Sequence, residues 1–421
     1  MSTAAEPFRR EHQNVENADV IVIGGGPAGL AAALELKARG VARVMILDRE
    51  PALGGAIRHC LHSPFGMREF GRVYFGPAYA QRLQRQAQDA GVDIRTGHSV
   101  VELGQDGTLL VTSALGVKTL KARRIVLATG AREKPRSVRL LPGDRPVGVI
   151  TTGTLQSYVA FHGIMPFRRP LVIGSELVSF SALLTCLTHS ARPVAMIEPE
   201  PYPLARSPFR WFPRLVGVPF HCGAAVTDIR GRGRVEEADI RLADGRILTV
   251  QCDGILLTGR FTPEAALLNA SPMDVAAGSA GPLTDQDGRM ANPLFFAGGN
   301  VLRAVETGGW AFREGRRVGA AVADDLAREP CNAPALPVTF TDPLKLVVPA
   351  ILRPGGLERP AFRDFQLRFT RRVQGRLSLH LGGTEVWSKT GLWLPERRVL
   401  VPIPRAAFAA SQVVFYFRET N

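Results

Sequence analysis

The stretch Asp19-Val-Ile-Val-Ile-Gly24-Gly-Gly-Pro-Ala-Gly29-Leu30 decides how the chain is read. Residues 20–23 are an apolar, β-prone run that leads straight into Gly24, Gly26 and Gly29, and an Ala/Leu-rich helical pattern follows. In a strand, tight turn and helix of this kind each glycine has its own task. Gly24 makes the turn, Gly26 lets backbone approach a pyrophosphate, and Gly29 lets the helix pack close to the strand. Pro27 and Ala28 open the helix, whose N-terminus offers free N–H groups and a positive dipole end to phosphates. A second apolar strand, 44–47, ends in Asp48, nineteen residues beyond Gly29, where a carboxylate can accept hydrogen bonds from a ribose diol. A glycine-rich loop alone is weak in a chain with 43 Gly, but strand, helix and acid together complete a dinucleotide fingerprint.

A length of 421 residues allows two or three domains, and 45% hydrophobic with 21% charged residues describes an ordinary globular protein, neither disordered nor fibrous. The first twenty residues hold no apolar run, and Arg9-Arg10 is followed by Glu11 and His12, so no signal peptide is expected. The longest apolar stretch, 171–187, is broken by Gly174, Ser175, Glu176, Ser179 and Ser181, which argues against a membrane span and for a cytoplasmic protein. Cys60, Cys186, Cys222, Cys252 and Cys331 show no metal-ligand spacing, so no metal site is expected. The net charge of +14 is spread through the chain without a recognition helix, zinc finger or interleaved aromatic strip, so nucleic acid is not the expected partner. Anionic cofactors, acidic substrates or a partner subunit with an acidic surface account for it equally well.

After Asp48-Arg49 come Pro51-Ala-Leu-Gly-Gly55 and Ala56-Ile-Arg-His-Cys-Leu-His62-Ser-Pro-Phe-Gly66. The fingerprint, the acid and this LGG together resemble the FAD domain of the two-dinucleotide-binding-domain flavoproteins, the superfamily of glutathione reductase and thioredoxin reductase. The resemblance implies FAD bound by Gly24, Gly26, Pro27, Ala28, Gly29, Asp48, Arg49 and Gly55. In the disulfide reductases of that group the LGG leads into a CxxxxC redox pair. Here those two positions are Ile57 and His62, and Cys60 stands alone and out of register, so exchange through an attacking and a resolving thiol is not expected. The resemblance makes 56–66 a flavin-proximal loop, with His62 the candidate catalytic acid or base ahead of His59. The alternative is a loop histidine that bonds only to backbone.

A helix at 79–90, a strand at 92–96 and a hairpin around 108–119 with turn glycines Gly107 and Gly116 lead to a buried strand at 122–131. The resemblance gives its Ala128, Thr129 and Gly130 a place over the FAD adenine and pyrophosphate, and Pro135 and Pro142-Gly143 mark a boundary. Arg169-Pro-Leu-Val-Ile-Gly174 then repeats the opening motif, and Glu198 stands 24 residues beyond Gly174, the interval that separates Asp48 from Gly24. This is a second dinucleotide-type unit. Its loop has changed, however, with Glu176 and Ser179 in the places of Gly26 and Gly29. A Cβ and a carboxylate where a pyrophosphate must approach add bulk and like charge, so NAD(P) is disfavoured there, and the unit is retained as architecture or as a surface for another subunit.

Residues 252–263 echo the 122–131 strand and return the chain to the first domain. Leu294-Phe-Phe-Ala-Gly-Gly-Asn300 resembles the superfamily's second FAD fingerprint, which implies Gly299 and Asn300 at the ribityl chain, an Asn replacing the usual Asp. The helix after Glu306 is then implied to aim Thr307 and Gly308 N–H groups at the flavin's pyrimidine edge, where its dipole stabilises the charge of reduced flavin. Trp310 is either core or a wall on the substrate side. Beyond Cys331 prolines punctuate a linker, and period-two alternation at 377–381, 399–403 and 413–417 gives strands. This last segment holds 13 Lys+Arg against 6 Asp+Glu, and either docks a partner or is a solvated basic face.

The expected fold class is α/β, with two Rossmann-like three-layer domains and a small C-terminal β-rich domain. The divisions are 1–140 and 263–330 for the two parts of the FAD domain, 141–262 for the NAD(P)-like domain and 331–421 for the linker and β domain. HSPFG, LATGARE, TGRFTPE, FFAGGN and VETGGW resemble one branch in particular over 18–330: the FAD-binding A or alpha subunits of opine oxidase, hydrogen cyanide synthase and amine or proline dehydrogenase complexes. That resemblance implies an FAD-dependent oxidoreductase taking hydride from the C–N bond of an amino acid or amine derivative, with electrons passed to a second flavoprotein subunit or another acceptor. A homo-oligomer is the alternative assembly. Cysteine-poor residues after 331 leave no four-thiolate set for an iron–sulfur cluster. The rival readings are an NAD(P)H-dependent flavin reductase feeding electrons to a partner and an assembly protein with structural FAD.

Overall fold

The computed structural model describes residues 15–205, 207–328, 333–356 and 359–420; Arg9, Arg10, Glu11, His12, Pro330 and Cys331 lie outside the described residues. Strand β1 (Glu16–Ile23), helix α1 (Pro27–Ala38) and strand β2 (Val44–Asp48) form the opening unit. Val20, Ile21 and Val22 are fully buried, because a parallel strand with helices over its faces has no wet side. Each such side chain contributes about 1.5–3 kcal/mol on burial.

β1 pairs in parallel with β2 and with the long strand Gly116–Leu127, and β2 with Asp93–Thr96. Thr108–Ser113 and Ser99–Leu103 extend this sheet antiparallel from the first part of Gly116–Leu127. Phe295–Ala297, returning from far along the chain, lies parallel to its last part. The 108–131 region therefore holds one twelve-residue strand that serves both the hairpin and the parallel core, where the sequence suggested a hairpin arm followed by a separate buried strand.

The second unit has the same order, with Phe220–Cys222, Ala195–Glu198, Pro170–Ile173 and Gly254–Leu257 side by side, all parallel, and Val149–Thr151 closing the sheet. Its three-stranded antiparallel flank, Ala225–Arg230, Glu237–Arg241 and Ile247–Gln251, repeats the hairpin flank of the first. The repeat read from glycine-to-acid spacing is thus a repeat of strand order as well. A two-stranded ribbon, Ala131–Glu133 against Phe261–Pro263, carries the chain out of the first unit and back.

The helix Gly308–Leu326 packs on α1. The approach is close because Gly315 and Gly319 face α1 without side chains: a Cβ on them would lie 2.0 Å from Ala28 O and 2.6 Å from Ala32 O. That contact brings the end of the chain's second glycine run to the start of the first.

The C-terminal residues build a five-stranded and a three-stranded sheet around their own core of Phe365, Phe369, Trp393 and Phe415. The apolar segment 344–352 is part of this domain as strands Leu344–Val348 and Ile351–Leu352. Pro343 and Pro349 flank the first of these, where a missing N–H costs no ladder bond. The domain is not detached: Leu346, Val348, Ala361 and Phe362 are buried in the core of the first unit. Among the described residues no helix is long and apolar enough to cross a membrane, and no His/Cys/Asp/Glu group could hold a metal.

Candidate functional site

The first glycine loop is closed by its own backbone. Gly24 has φ +103° and donates its N–H to Leu47 O at 2.8 Å; a Cβ there would meet Ala128 O at 2.5 Å. A Cβ on Gly29 would lie 1.9 Å from Gly24 O, so no side chain fits. Gly26 is different. Its missing Cβ faces only the Gly55 Cα, 4.0 Å away, so two bare backbones border an open slot. Gly54 donates to Gly25 O at 2.7 Å and seats the LGG turn against that slot. At the start of α1 the Ala28 and Gly29 amides have no intrahelical acceptor. Slot and amides fit a pyrophosphate.

Asp48 is buried beneath the loop. Its Oδ2 accepts from Gly25 N–H at 2.7 Å and its Oδ1 from Glu50 N–H at 2.8 Å, and burial raises its pKa above the ordinary carboxylate value. Each oxygen keeps a further lone pair for a diol. Ala128 donates to Ile23 O at 2.8 Å, Thr129 Oγ1 to Glu264 O at 2.8 Å, and Gly130 accepts from Glu264 N–H at 2.9 Å. Arg49 stands at the exposed rim, 3.9 Å from Glu264.

At the other end, Gly299 sits where a Cβ would come within 2.7 Å of the Ala28 Cβ, and its N–H donates to the buried Glu314 at 2.7 Å. Asn300 is used by the chain itself: its Nδ2 donates to Glu306 O at 3.1 Å and its Oδ1 accepts from Glu306 N–H at 2.8 Å. The amide thereby closes the 300–306 loop and keeps one hydrogen and one lone pair for a ligand hydroxyl. Val305 within that loop has φ +75°, a left-handed conformation costing about 1–3 kcal/mol for a β-branched residue. Thr307 is the N-cap of the following helix, and Gly308 packs on Ile57 and Phe65.

What surrounds this loop carries no signature in the sequence. Glu306 is paired with Arg303, Arg368 and Arg398, and Arg303 also with Glu314. Arg398 lies over the Trp310 ring at 3.6 Å from its centroid, with Arg68 and Arg313 at 4.9 and 5.8 Å. Trp310 is half-buried inside an arginine cage. Arg368 and Arg398 come from the C-terminal domain, and no local pattern marks residues that meet from 62 and 92 positions apart.

In the 56–66 loop His62 rests on Phe65, ring centroids 5.3 Å apart, with Nδ1 3.4 Å from Ser63 O. Burial lowers its pKa, and that of His59 to about 4. The Cys60 thiol, against Ala56 O and Gln156 Oε1 at 3.4 and 3.7 Å, is pushed up to about 12 by burial.

The second loop keeps the turn but carries side chains where the first has glycines. Gly174 has φ +115° and donates to Ile197 O at 2.8 Å, as Gly24 does to Leu47. Ser175 Oγ donates to Glu198 and accepts from Leu204 N–H, and Ser179 bonds Thr258 Oγ1. The Glu176 carboxylate, expected to stand out toward a pyrophosphate, turns back instead. Its Oε1 accepts from Arg260 N–H at 2.6 Å, its Oε2 is buried without a partner, and burial raises its pKa to about 7.

The pattern of the family described as Pyridine nucleotide-disulphide oxidoreductase matches residues 18–315, which takes in both units and the returning strand. The chain belongs to that family. Membership implies an FAD site and a flavin oxidoreductase. The chain is 27% identical over 313 residues to the A subunit of opine oxidase from Agrobacterium tumefaciens (strain Ach5), a match covering 67% of this chain and 61% of that protein. It is 29% identical over 245 residues to hydrogen cyanide synthase subunit HcnB of Pseudomonas aeruginosa, covering 52% and 50%. The chain thus spans less than two thirds of the length of either relative. In fold it is similar to the thioredoxin reductase of T. acidophilum, with a TM-score of 0.62 at 20% identity over 74% of this chain and all of the other. The two-Rossmann architecture with added C-terminal sheets is therefore the fold expected from sequence.

Proposed function

We propose that this chain is the FAD-binding subunit of a dehydrogenase or oxidase that acts on the C–N bond of an amino acid or amine derivative. The contrast between the two glycine loops carries the reading. The Gly26–Gly55 slot is bordered by bare backbone, whereas the Gly174 loop carries Ser175, Glu176 and Ser179, whose side chains are bonded to Glu198, Arg260 and Thr258. This contrast supports electrons drawn from the substrate rather than from a nicotinamide dinucleotide.

Gly24, Gly26, Pro27, Ala28, Gly29, Asp48, Arg49, Gly55 and Ala128 to Gly130 would hold the nucleotide half of FAD, and Gly299, Asn300, Thr307 and Gly308 the flavin half. FAD, when bound, accepts the hydride and passes electrons on. The protein supplies position and proton handling. His62, whose neutral form burial favours, would take the proton that an ammonium substrate must lose before its nitrogen can push hydride off carbon. The Ile57 and His62 positions and the unreactive Cys60 thiol support a chemistry without disulfide exchange. The named relatives are subunits, which supports a second flavoprotein subunit in the role of partner and electron acceptor.

Anaerobic photometry of the FAD-loaded protein tests this. Amines, opines and N-alkyl amino acids are expected to bleach the flavin band, with NADH and NADPH leaving it unchanged over the same time. His62→Gln is expected to slow that bleaching by about 100-fold and to flatten its pH dependence. Rapid bleaching by NADPH would falsify the reading in favour of a reductase, and bleaching by dithionite alone would leave an assembly role.

A further inference from the structure

The C-terminal domain reaches the proposed flavin end of the site at two carboxylates, Glu306 and Glu314. Glu306 immediately precedes the helix N-cap Thr307, its side chain is 5% exposed, and three guanidinium groups converge on it. Arg303 comes from its own loop. Arg368, 2% exposed, comes from the strand Asp364–Phe369, and Arg398 from just before Val399–Pro402, both in the three-stranded sheet. Arg398 uses its two faces separately: Nη1 donates to Glu306 Oε2 at 3.0 Å while the guanidinium plane covers Trp310, on the first turn of the same helix. Gln366, on the Arg368 strand, is 3.5 Å from Glu314, which in turn holds the Gly299 N–H.

As a stabilising device this network is poor. Three arginines face two carboxylates, and the Nε groups of Arg303 and Arg368 are buried without hydrogen-bond partners. Buried ion pairs of that quality are commonly matched or bettered by apolar packing of the same volume. Its position is another matter. The loop it grips contains Val305 at φ +75° and is tied internally by the Asn300 amide and the Arg303–Glu306 pair, and the two C-terminal arginines add a hold from outside it.

We propose that Arg368 and Arg398 are positioning residues: by clamping Glu306 from the C-terminal domain, they set the 300–307 loop and the helix N-terminus in register with the flavin. This rests on the assignment of FAD to the first unit. The β domain thereby becomes part of the flavin site, and its charge contributes to the flavin's potential. Any movement of the domain, including one caused by a partner bound to it, is felt at the Thr307 and Gly308 amides.

The test uses the full chain, with FAD affinity measured by titrating apoprotein and the midpoint potential measured on the holoprotein. Arg398→Met is expected to weaken FAD binding about tenfold and to disfavour the reduced flavin by a similar factor, about 30 mV for a two-electron couple. Arg398→Lys recovers part of both, since it restores the charge without the planar fork. Arg371→Met, which removes an exposed pairing with Glu419 on the same domain, is the control for general loss of stability and leaves both readouts unchanged. Arg368→Met is expected to act like Arg398→Met; where it does not fold, the partly exposed Arg398 decides alone. Affinity and potential within twofold of the unaltered protein in Arg398→Met would overturn the proposal. Failure of the unaltered apoprotein to bind FAD at all would overturn the site assignment and the proposal with it.

Discussion

Glu176 stands where the first loop has Gly26, and a single pH experiment reads its environment. An exposed glutamate titrates near 4.5; in the folded protein burial moves Glu176 to about 7. Below pH 4.5 both folded and unfolded chains carry the proton and the group contributes nothing. As pH rises from about 4.5 to about 7 the unfolded chain releases its proton first, so the folded state binds more protons and stability falls with pH, levelling off above about 7. The total is on the order of 3 kcal/mol. Glu176→Gln keeps the acceptor for Arg260 N–H and removes the titration. Its urea midpoint is therefore expected to match the unaltered protein near pH 4.5, to exceed it increasingly up to about pH 7 and to keep a constant lead from there to pH 8. Parallel curves would show that the carboxylate is solvated when ionised.

At the level of elements, the sequence carried most of what shapes the first glycine loop, where we propose that the nucleotide half of FAD binds. Residues 20–23, Gly24, Gly29 and Asp48 lie within thirty positions of one another, and their constraints are local: a turn, a close approach and a strand end. The same locality exposed the second unit, since Gly174 and Glu198 repeat the interval. What escaped was the reason for Gly315 and Gly319, because their task depends on which helix they meet. They let Gly308–Leu326 settle onto Ala28 and Ala32, and so bring Gly299 and the Thr307 cap to the mouth of the first glycine loop. A methyl group at 315 would stand 2.0 Å from a backbone oxygen, which no side-chain adjustment can relieve. Gly315→Ala is expected to cost about 1–3 kcal/mol as the helices part. FAD retention should fall with it, because separation misplaces Gly299. The same change at Gly355, which has open space but a positive φ, should destabilise without loss of FAD. Thermal melts with and without added FAD compare the two.

Across the whole molecule, the period-two strands of the C-terminal domain were legible, but its attachment was not, since attachment is made by contacts far apart in sequence. Apolar, hydrogen-bonded and ionic contacts join it to the first unit, Ala350 N–H donating to Thr284 O, Phe362 N–H to Gln286 O, and Arg353 pairing with Asp285. Leu346, Val348, Ala361 and Phe362 sit in the same core as β1 and α1, and the Glu306 clamp adds a further ionic join. The second Rossmann unit has cores of its own, around Leu171 and Ile255 and around Leu183 and Leu256. Cooperative units follow shared cores, so the first unit and the β domain should open together while the second unit opens independently. Ligand binding stabilises only the unit whose opening releases the ligand, by about 2.7 kcal/mol at a hundredfold excess over Kd. Adding FAD to apoprotein is therefore expected to slow amide exchange in Glu16–Ile23 and in the distant strand Asp364–Phe369 to similar extents, while Pro170–Ile173 exchanges as before. Protection confined to residues before 328 would mean that the β domain opens without disturbing the flavin site, and would count against the clamp as well as the shared core.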